Sequence, residues 1–309
     1  MMRNAHDTMI TRAPKLSVTI IIPAYNEEAN ITRLTRQVLD EPWNAELYLD
    51  RIIIVDDCST DSTGIIVAGL ARDDTRVSAM RHDQRKGKNA GIREGIVAST
   101  SDITVILDAD ILLTPECLTK TIELIGADPS LTAASCVNEP LPARSWRERA
   151  SRFQALLITE LRFLGQDSLL RLWAIRTSAF VGLTLPDDVA DDLYIMRWLS
   201  WQGYHFALCR DATIFFRTAS GLRDFAKQTL RAWRAVKDID NLIPNHVAPT
   251  KGRGPTKRAA ARAIRREPFG FLLYVVWRGI VTVTPTTLWL HTIALSKHDV
   301  STSTKDLGG

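Results

Sequence analysis

The sequence predicts an α/β fold in which a mostly parallel sheet is flanked by helices. Apolar runs of strand length alternate with helical patterns from residue 17 to residue 138, an order typical of a parallel sheet. Two of these runs, 51–55 and 105–107, end abruptly in carboxylates. Because open α/β sheets bind ligands at the carboxyl ends of their strands, we expect these acids to line one crevice.

The first half of the chain divides regularly into strands and helices. We predict strands at 17–23, 52–56, 76–82, 103–108 and 132–137, and helices at 28–39, 59–71, 88–98 and after Pro115. Ser59 or Asp61 suits the start of the second helix, and Pro115 suits the first turn of the fourth. Each carboxylate pair therefore follows directly on a strand.

The second half is richer in helix. We predict a long helix at 146–164, a strand at 169–175, a helix at 190–201, strand-like runs within 205–216 and a basic amphipathic helix at 221–237. A Gly/Pro/Lys-rich stretch at 243–255 indicates a loop or linker. We therefore divide the chain into a flexible tail (1–15), a main α/β domain (16–240), a basic linker (241–268), an apolar segment (269–295) and a polar tail (296–309).

The composition is that of an ordinary folded protein, with two unusual segments. The 309 residues are 45% hydrophobic and 24% charged, and the formal charge of +4 is modest. Seven Lys and Arg residues but one acid lie between Lys251 and Glu267, whereas 269–295 carries only the formal charge of Arg278. The four scattered cysteines show no CxxC spacing, which favours reduced thiols.

These two segments together favour contact with an anionic membrane surface. The apolar segment is long enough to span a bilayer, but Arg278 and several threonines leave an interfacial hairpin or a buried helix as alternatives. For the basic block, a solvated loop is the alternative. We expect the protein on the cytoplasmic face of a membrane, peripheral or C-terminally anchored. We expect no nucleic acid partner, because the block shows neither a binding motif nor interleaved aromatic residues.

Asp108 and Asp110 form the sharpest candidate site. Residues i and i+2 of a strand point to the same side, so both carboxylates can face one cation. Hard oxygen ligands suit Mg²⁺ or Mn²⁺, and an ion so held can bind a diphosphate. The alternative is a polar turn that merely ends a strand.

In order along the chain, the motifs resemble those of the family 2 glycosyltransferases, which have the GT-A fold. The resemblance covers roughly residues 17–240 and rests on the segments Pro-Ala-Tyr-Asn-Glu-Glu (23–28), Asp-Asp-Cys-Ser-Thr-Asp (56–61), Lys-Gly-Lys-Asn-Ala-Gly (86–91), Asp-Ala-Asp (108–110), Ala-Asp-Asp (190–192) and Gln-Thr-Leu-Arg-Ala-Trp (228–233). The ordered set is far more specific than any one segment. It implies a nucleotide-sugar half at 16–140 and an acceptor half at 141–240.

The resemblance implies that the first two segments contact the nucleotide. Pro23 ends the first strand and lets the backbone turn. Tyr25 would then offer its ring to the base and Glu27 its carboxylate to the ribose or base edge, although Glu27 is also suited to helix capping. Asp56 or Asp57 would accept a hydrogen bond from the base or from a ribose hydroxyl.

The next two segments are expected at the diphosphate. Lys86 and Lys88 would neutralise phosphate, with an exposed charged turn as the alternative. Asp110 is the best metal ligand, and Asp108 is expected near the ribose or the donor sugar, partly through the metal. The resemblance thus implies Mg²⁺ or Mn²⁺ as cofactor and a nucleotide-diphosphate sugar as donor, with a UDP-sugar favoured.

The last two segments are expected at the acceptor and the leaving group. Ala190-Asp191-Asp192 resembles the family's T/G-E-D motif, whose final Asp is the general base, so this role maps onto Asp192 with Asp191 as a second acid. Acids that favour the helix dipole are the alternative. Gln228 and Arg231 match the QxxRW motif and would hold the leaving diphosphate, whereas Trp233 lies one residue late for stacking on the acceptor. A basic amphipathic helix is the alternative there.

The sequence therefore predicts an inverting glycosyltransferase that transfers a sugar to a hydroxyl of a lipid-linked or polysaccharide acceptor. Two other classes remain open. A sugar-1-phosphate nucleotidyltransferase would need a Gly-rich loop at residues 23–28, where this chain has Pro-Ala-Tyr-Asn-Glu-Glu. A non-catalytic nucleotide-sugar-binding subunit has no need of the intact acids at 108, 110 and 192.

Overall fold

The computed structural model describes residues 15–163, 171–243 and 253–283. Strands in these ranges are β1 (Leu16–Ala24), β2 (Leu47–Asp56), β3 (Val77–Arg81), β4 (Ile103–Leu107), β5 (Ile111–Leu113), β6 (Leu131–Pro140), β7 (Leu172–Arg176) and β8 (His205–Phe216). Helices are α1 (Ile31–Leu39), α2 (Thr63–Asp73), α3 (Lys88–Ala98), α4 (Cys117–Ala127), α5 (Arg149–Phe163), α6 (Asp191–Trp201), α7 (Leu222–Leu242), α8 (Arg253–Arg266) and α9 (Pro268–Val283).

The strands form one sheet in the order β3-β2-β1-β4-β7-β6-β8-β5. Its first half is parallel, since β1 pairs with β2 and β4, and β2 pairs with β3. Beyond β4 the sheet is mixed: β7 runs antiparallel to β4 and β6, β5 antiparallel to β8, and β6 parallel to β8. The predicted α/β fold is confirmed, and the half that carries the first four motifs is entirely parallel.

Helices cover both faces of this sheet because its strands are apolar on both sides. Val105 packs into a cluster with Leu34 of α1 and Leu118 of α4, whereas its neighbour Ile106 packs with Ile195 of α6. Successive strand residues point to opposite faces, so one apolar run supplies both clusters.

Helix α3 lies directly on β1. A Cβ atom added to Gly95 would come within 2.5 Å of Cγ2 of Ile21, so the close approach depends on glycine at this position. The packing fixes the helix that begins at Lys88, the first residue of α3. It thereby sets where the third motif lies.

Several element boundaries differ from the prediction, including α2, which begins at Thr63 rather than 59, and α4, which begins at Cys117, after Pro115. Helix α1 begins at Ile31 rather than 28, because the backbone N–H groups of Asn30 and Ile31 donate to the carbonyl of Glu27 in a preceding turn. Strand β5 was missed because three residues are too few to show a period. The strand predicted at 169–175 is β7, Leu172–Arg176, and residues 164–170 lie outside the description.

Helix α8 lies within the basic linker predicted at 241–268. This helix buries Ala259 and Ala263, and its Arg262 and Arg266 lie 3.4 and 3.5 Å from the Glu160 carboxylate of α5. Part of the basic block is therefore engaged within the protein. Among the described residues, no helix has both the length and the hydropathy to cross a bilayer. Residues 284–295 of the predicted apolar segment lie outside the description.

Candidate active site

The carboxyl ends of β1, β2 and β4 meet at one edge of the sheet, because these strands are parallel neighbours. Tyr25, Asp57 and Asp108 are the residues that follow these strand ends. The site predicted from separate motifs is therefore assembled at one edge, as expected for an open α/β sheet.

Asp108 lies at the centre of a cluster of charges. Its Oδ1 is 2.7 Å from Nζ of Lys88, and its Oδ2 is 3.2 Å from Nη1 of Arg171. The same Arg171 nitrogen is 3.1 Å from Oδ1 of Asp110. Lys88 Nζ also lies 2.8 Å from Oδ2 of Asp191. Two cations thus join three of the predicted site acids.

Helix α6 brings Asp191 and Asp192 to this edge. Asn89, buried at the start of α3, donates through Nδ2 to the carbonyls of Pro186 (2.6 Å) and Val189 (3.0 Å), which precede α6. This amide ties the start of α3 to the loop before the acid pair. The fifth motif therefore reaches the same edge as the Asp108 and Lys88 motifs.

The electrostatics of the cluster set the protonation of its members. Burial, together with the adjacent Asp191 carboxylate, raises the pKa of Asp192 to about 7, although Lys88 opposes this shift. Burial alone would lower the pKa of Lys88, but Asp108 and Asp191 raise it above its ordinary value. Asp192 is thus a carboxylate poised near neutral pH, while Lys88 stays charged.

Asp57 organises the loop that carries the third motif. Its carboxylate accepts hydrogen bonds from the backbone N–H groups of Lys86 (2.7 Å) and Gly87 (2.9 Å), and it lies 2.7 Å from Nδ1 of His82. The other ring nitrogen of His82 is 2.9 Å from Glu94. Asp57 therefore fixes the position of the Lys86 backbone. A contact between Asp57 and a nucleotide stays a prediction.

Several predicted nucleotide residues have protein partners. Asp56 is buried, pairs with Arg81 and accepts a hydrogen bond from the Ser59 N–H at 2.9 Å. Glu27 is also buried and accepts a hydrogen bond from the Asn30 side chain at 3.0 Å, and α1 has no side-chain cap. Nucleotide contacts by these two carboxylates stay predictions.

The ring of Tyr25 has a guanidinium over its face. The central carbon of Arg85 lies 3.6 Å from the ring centroid, a cation–π geometry. Pro23, at the end of β1, pairs with Val55 of β2 and sets the start of this turn. A base that uses the Tyr25 ring would therefore meet Arg85 as well.

The remaining predicted residues fall into two groups. Lys86 Nζ lies 3.0 Å from Glu94 rather than beside an acid of the charge cluster. Gln228, Arg231 and Trp233 lie on α7, where Gln228 is exposed. The side chains of Arg231 and Trp233 lie outside the description, so their roles stay predictions.

Sequence reasoning missed Arg171, Arg85 and His82. Arg171 precedes β7, and its carbonyl accepts a hydrogen bond from the Asp108 N–H at 3.0 Å. The antiparallel pairing of β7 with β4 thus places Arg171 opposite the acids. No spacing in the sequence indicates this contact, which joins residues more than sixty positions apart.

The acid pair suits a divalent cation. Asp108 and Asp110 supply carboxylate oxygens, the donors that Mg²⁺ and Mn²⁺ prefer, and one Arg171 nitrogen contacts both carboxylates. Within the described ranges no group of three or more His, Cys, Asp or Glu residues could hold a metal ion. Two carboxylates with substrate phosphates completing the shell is a common magnesium arrangement.

Comparison with solved structures identifies the fold. The chain resembles a mannosyltransferase from Pyrobaculum calidifontis in complex with GDP-Man and Mn²⁺, with a TM-score of 0.61 at 20% identity, covering 93% of this chain and 89% of that one. It also resembles glucosyl-3-phosphoglycerate synthase from Mycobacterium tuberculosis in complex with Mn²⁺, UDP-glucose and phosphoglyceric acid, with a TM-score of 0.54 at 15% identity, covering 75% and 81%. The GT-A fold is confirmed.

Curated relatives match a little less than half of the chain. An undecaprenyl-phosphate 4-deoxy-4-formamido-L-arabinose transferase from Sodalis glossinidius is 28% identical over 142 residues, 46% of this chain and 43% of the relative. The same enzyme from Pseudomonas aeruginosa is 31% identical over 145 residues, 46% of this chain and 41% of the relative. The chain thus spans less than half the length of these relatives.

A family model described as glycosyl transferase family 2 matches residues 19–184, more than half of the 309 residues. The matched range includes the first four motifs and Arg171, whereas Asp191 and Asp192 lie beyond it. The chain belongs to the family 2 glycosyltransferases.

Proposed function

We propose that this protein is an inverting glycosyltransferase that moves a sugar from a nucleotide-diphosphate sugar to a membrane-borne acceptor. The observation that carries the proposal is the convergence of Asp108, Asp110, Asp191, Lys88 and Arg171 at the carboxyl edge of the parallel strands. Such a cluster can receive a diphosphate with its metal ion and a nucleophile at the same place.

Asp110 and Asp108 would hold the divalent ion, which supplies neutralisation of the charge that grows on the leaving diphosphate. Lys88 contributes a fixed positive charge beside the same position. Arg85 and Tyr25 bound the place where a base would lie. The donor classes of the structural relatives, GDP-Man and UDP-glucose, support a nucleotide-diphosphate sugar without deciding the base.

Asp192 is the proposed general base. A carboxylate with a pKa of about 7 is far better matched to proton transfer at neutral pH than an ordinary aspartate. It takes the proton of an acceptor hydroxyl as that oxygen attacks the anomeric carbon. One displacement on the face opposite the leaving group inverts the configuration, and no enzyme nucleophile is needed.

A lipid phosphate is the second acceptor class. The curated relatives carry undecaprenyl phosphate in their names, which supports a polyprenyl phosphate here. A phosphate near neutral pH is already ionised and needs no base, so the two classes make opposite demands on Asp192. A hydroxyl acceptor requires its carboxylate, whereas a phosphate acceptor does not.

The C-terminal helices support a place at a membrane surface. On α9, the side chains of Phe269 (68% exposed), Leu272 (63%), Val276 (57%) and Ile280 (41%) recur at the spacing of one helix face. The opposite face is packed, with Tyr274 and Trp277 against Phe225 or Phe153 of the neighbouring helices. Phe269, Leu272 and Val276 thus present a largely exposed apolar surface, of the kind that marks a binding site.

The chemistry of that partner follows from the neighbouring helix. Lys257 and Arg258 are exposed on α8, which precedes α9 directly. Basic side chains beside an apolar helix face suit the headgroups and acyl chains of an anionic lipid leaflet. We propose that α8 and α9 hold the enzyme on the cytoplasmic face of a membrane, beside a lipid-linked or growing-polysaccharide acceptor.

A donor screen tests the proposal. The full-length protein is incubated with UDP-, GDP- and dTDP-sugars and Mg²⁺ or Mn²⁺, with and without polyprenyl phosphate or a hydroxyl acceptor, and released nucleotide and glycosylated product are measured. We expect acceptor-dependent release of a nucleoside diphosphate. Pyrophosphate release from a nucleoside triphosphate and a sugar 1-phosphate would indicate a nucleotidyltransferase instead, and donor binding without turnover would indicate a binding subunit.

A further inference from the structure

Arg171 occupies the place between the two acids that a divalent ion would take. One nitrogen, Nη1, bridges Oδ2 of Asp108 and Oδ1 of Asp110 at 3.2 and 3.1 Å. The remaining oxygen of Asp108 lies beside Lys88. Both oxygens of Asp108 are therefore engaged by cations of the protein itself.

The position of Arg171 is set by the sheet. Its carbonyl accepts the Asp108 N–H hydrogen bond that extends the pairing of β7 with β4. Its guanidinium carbon lies 4.3 Å from the ring centroid of Phe216, at the end of β8. A backbone hydrogen bond and contact with an aromatic ring thus hold Arg171 beside the two acids.

A metal ion and this guanidinium compete for the same oxygens. Two cations that share one carboxylate pair repel each other strongly at a separation of a few ångströms, most of all in a partly buried site. An entering divalent ion therefore has to displace Arg171 from Asp110 and Asp108. The displaced guanidinium keeps its charge and stays tethered beside the site.

The donor diphosphate supplies a new partner for the displaced side chain. Guanidinium groups bind phosphate oxygens through paired N–H donors, and this pairing is stronger than a single contact with a neutral group. We propose that Arg171 is a positioning residue whose guanidinium blocks the metal site in the free enzyme. When metal and donor bind together, the guanidinium leaves Asp108 and Asp110 and binds the donor diphosphate instead. This inference rests on the proposed metal-assisted transfer.

The exchange couples the two ligands. Nucleotide diphosphate improves Mn²⁺ affinity because it stabilises the displaced Arg171, and by reciprocity Mn²⁺ improves nucleotide affinity by the same factor. Coupling of this kind is typically about 5- to 150-fold. In Arg171→Gln the competition is removed, so Mn²⁺ should bind the nucleotide-free protein more tightly by a factor in that range, and the coupling should shrink.

The test is a titration of full-length protein with Mn²⁺, followed by electron paramagnetic resonance of the free ion, with and without UDP or GDP. Arg171→Gln is compared with wild type, with Arg171→Lys, which keeps a positive charge, and with Arg72→Gln. Arg72 lies on α2, and its Nε donates to the Ala68 carbonyl of its own helix at 3.3 Å, so Arg72→Gln controls for the loss of one arginine. Thermal unfolding confirms that each variant is folded.

We expect tighter Mn²⁺ binding in Arg171→Gln without nucleotide, no change in Arg72→Gln, and an intermediate effect in Arg171→Lys. Unchanged or weaker Mn²⁺ binding in folded Arg171→Gln overturns the proposal. If that variant does not fold, additive binding of Mn²⁺ and nucleotide to wild type overturns it equally. If wild type transfers sugar but binds Mn²⁺ and nucleotide independently, the proposed function holds and this inference is wrong. If Mn²⁺ and nucleotide bind cooperatively but no acceptor receives sugar, this inference holds and the proposed function is wrong.

Discussion

Lys88 Nζ lies 2.8 Å from Oδ2 of Asp191, and this ion pair links the first residue of α3 to the first residue of α6. The same ammonium also contacts Asp108 at the end of β4. A side chain from the predicted nucleotide-sugar half thus contacts Asp191, which belongs to the predicted acceptor half. Lys88 thus contacts both a proposed metal ligand, Asp108, and Asp191, the neighbour of the proposed general base.

Asp192→Asn should retain donor binding and lose transfer to a hydroxyl acceptor by about 10²–10⁴-fold, the usual contribution of a general base. In wild type the rate should rise about tenfold per pH unit below 7 and level off above it, because Asp192 acts only when ionised and burial beside Asp191 raises its pKa to about 7. The measurement is kcat against pH, with Asp191→Asn as the matched variant. Loss of rate in Asp191→Asn but not in Asp192→Asn would move the base by one residue. A rate insensitive to Asp192→Asn with polyprenyl phosphate would identify the ionised phosphate as the nucleophile.

The same substitution should stabilise the protein at alkaline pH. The pKa of Asp192 is raised in the folded state, so its contribution to stability is largest below the unfolded pKa and is lost as pH rises toward about 7. Asparagine does not ionise, so it does not lose stability in this way as pH rises. The melting temperature of Asp192→Asn minus that of wild type should therefore grow from pH 5 to pH 8, as measured by differential scanning fluorimetry. A difference that shrinks with pH contradicts this electrostatic account.

Gly95→Ala should destabilise the protein by about 1–3 kcal/mol, the usual range for overpacking. The added methyl group would lie 2.5 Å from Cγ2 of Ile21 and force α3 away from β1. Gly69→Ala is the matched control, since the nearest atom to its Cβ is a flexible Arg72 nitrogen at 4.0 Å. That change should stabilise α2 by about 0.4–1 kcal/mol. Urea unfolding of both variants gives the comparison, and equal effects at the two sites would argue against close packing of α3.

Leu272→Gln with Val276→Gln should weaken binding to vesicles that contain phosphatidylglycerol. Both side chains belong to the exposed stripe of α9, and each exposed basic residue nearby contributes about 1 kcal/mol at an anionic surface. Ile65→Gln is the control, because Ile65 is 78% exposed on α2, away from the stripe. Co-sedimentation at low salt measures the effect.

Removal of α8 and α9 is a poorer test, since it would uncover Phe153 and Phe225. Wild type that does not bind these vesicles contradicts the membrane proposal.

Much of the fold and part of the site follow from local pattern. The parallel half of the sheet and the acids at 108 and 110 were predictable because an apolar run that ends in two nearby carboxylates is visible within a few residues of sequence. The two acids nevertheless lie in the turn between β4 and β5 rather than on one strand, as the polar-turn alternative described. Arg171 was not predictable, since only the pairing of β7 with β4 brings it to Asp108. The partner of Lys86 was missed for a similar reason: Glu94 lies two helical turns away, and an isolated sequence shows no preference between it and a phosphate.

Asp110→Asn is the most direct test of the central claim, which is metal-assisted sugar transfer at the cluster around Asp108. The variant loses one of two anionic oxygen donors for the ion but keeps the shape of the side chain, so it should fold as wild type does. Acceptor-dependent release of nucleoside diphosphate is measured for both proteins over a range of Mg²⁺ or Mn²⁺. We expect turnover to fall by about 10²-fold or more. Near-normal turnover of Asp110→Asn in EDTA-treated, metal-free buffer would contradict the account.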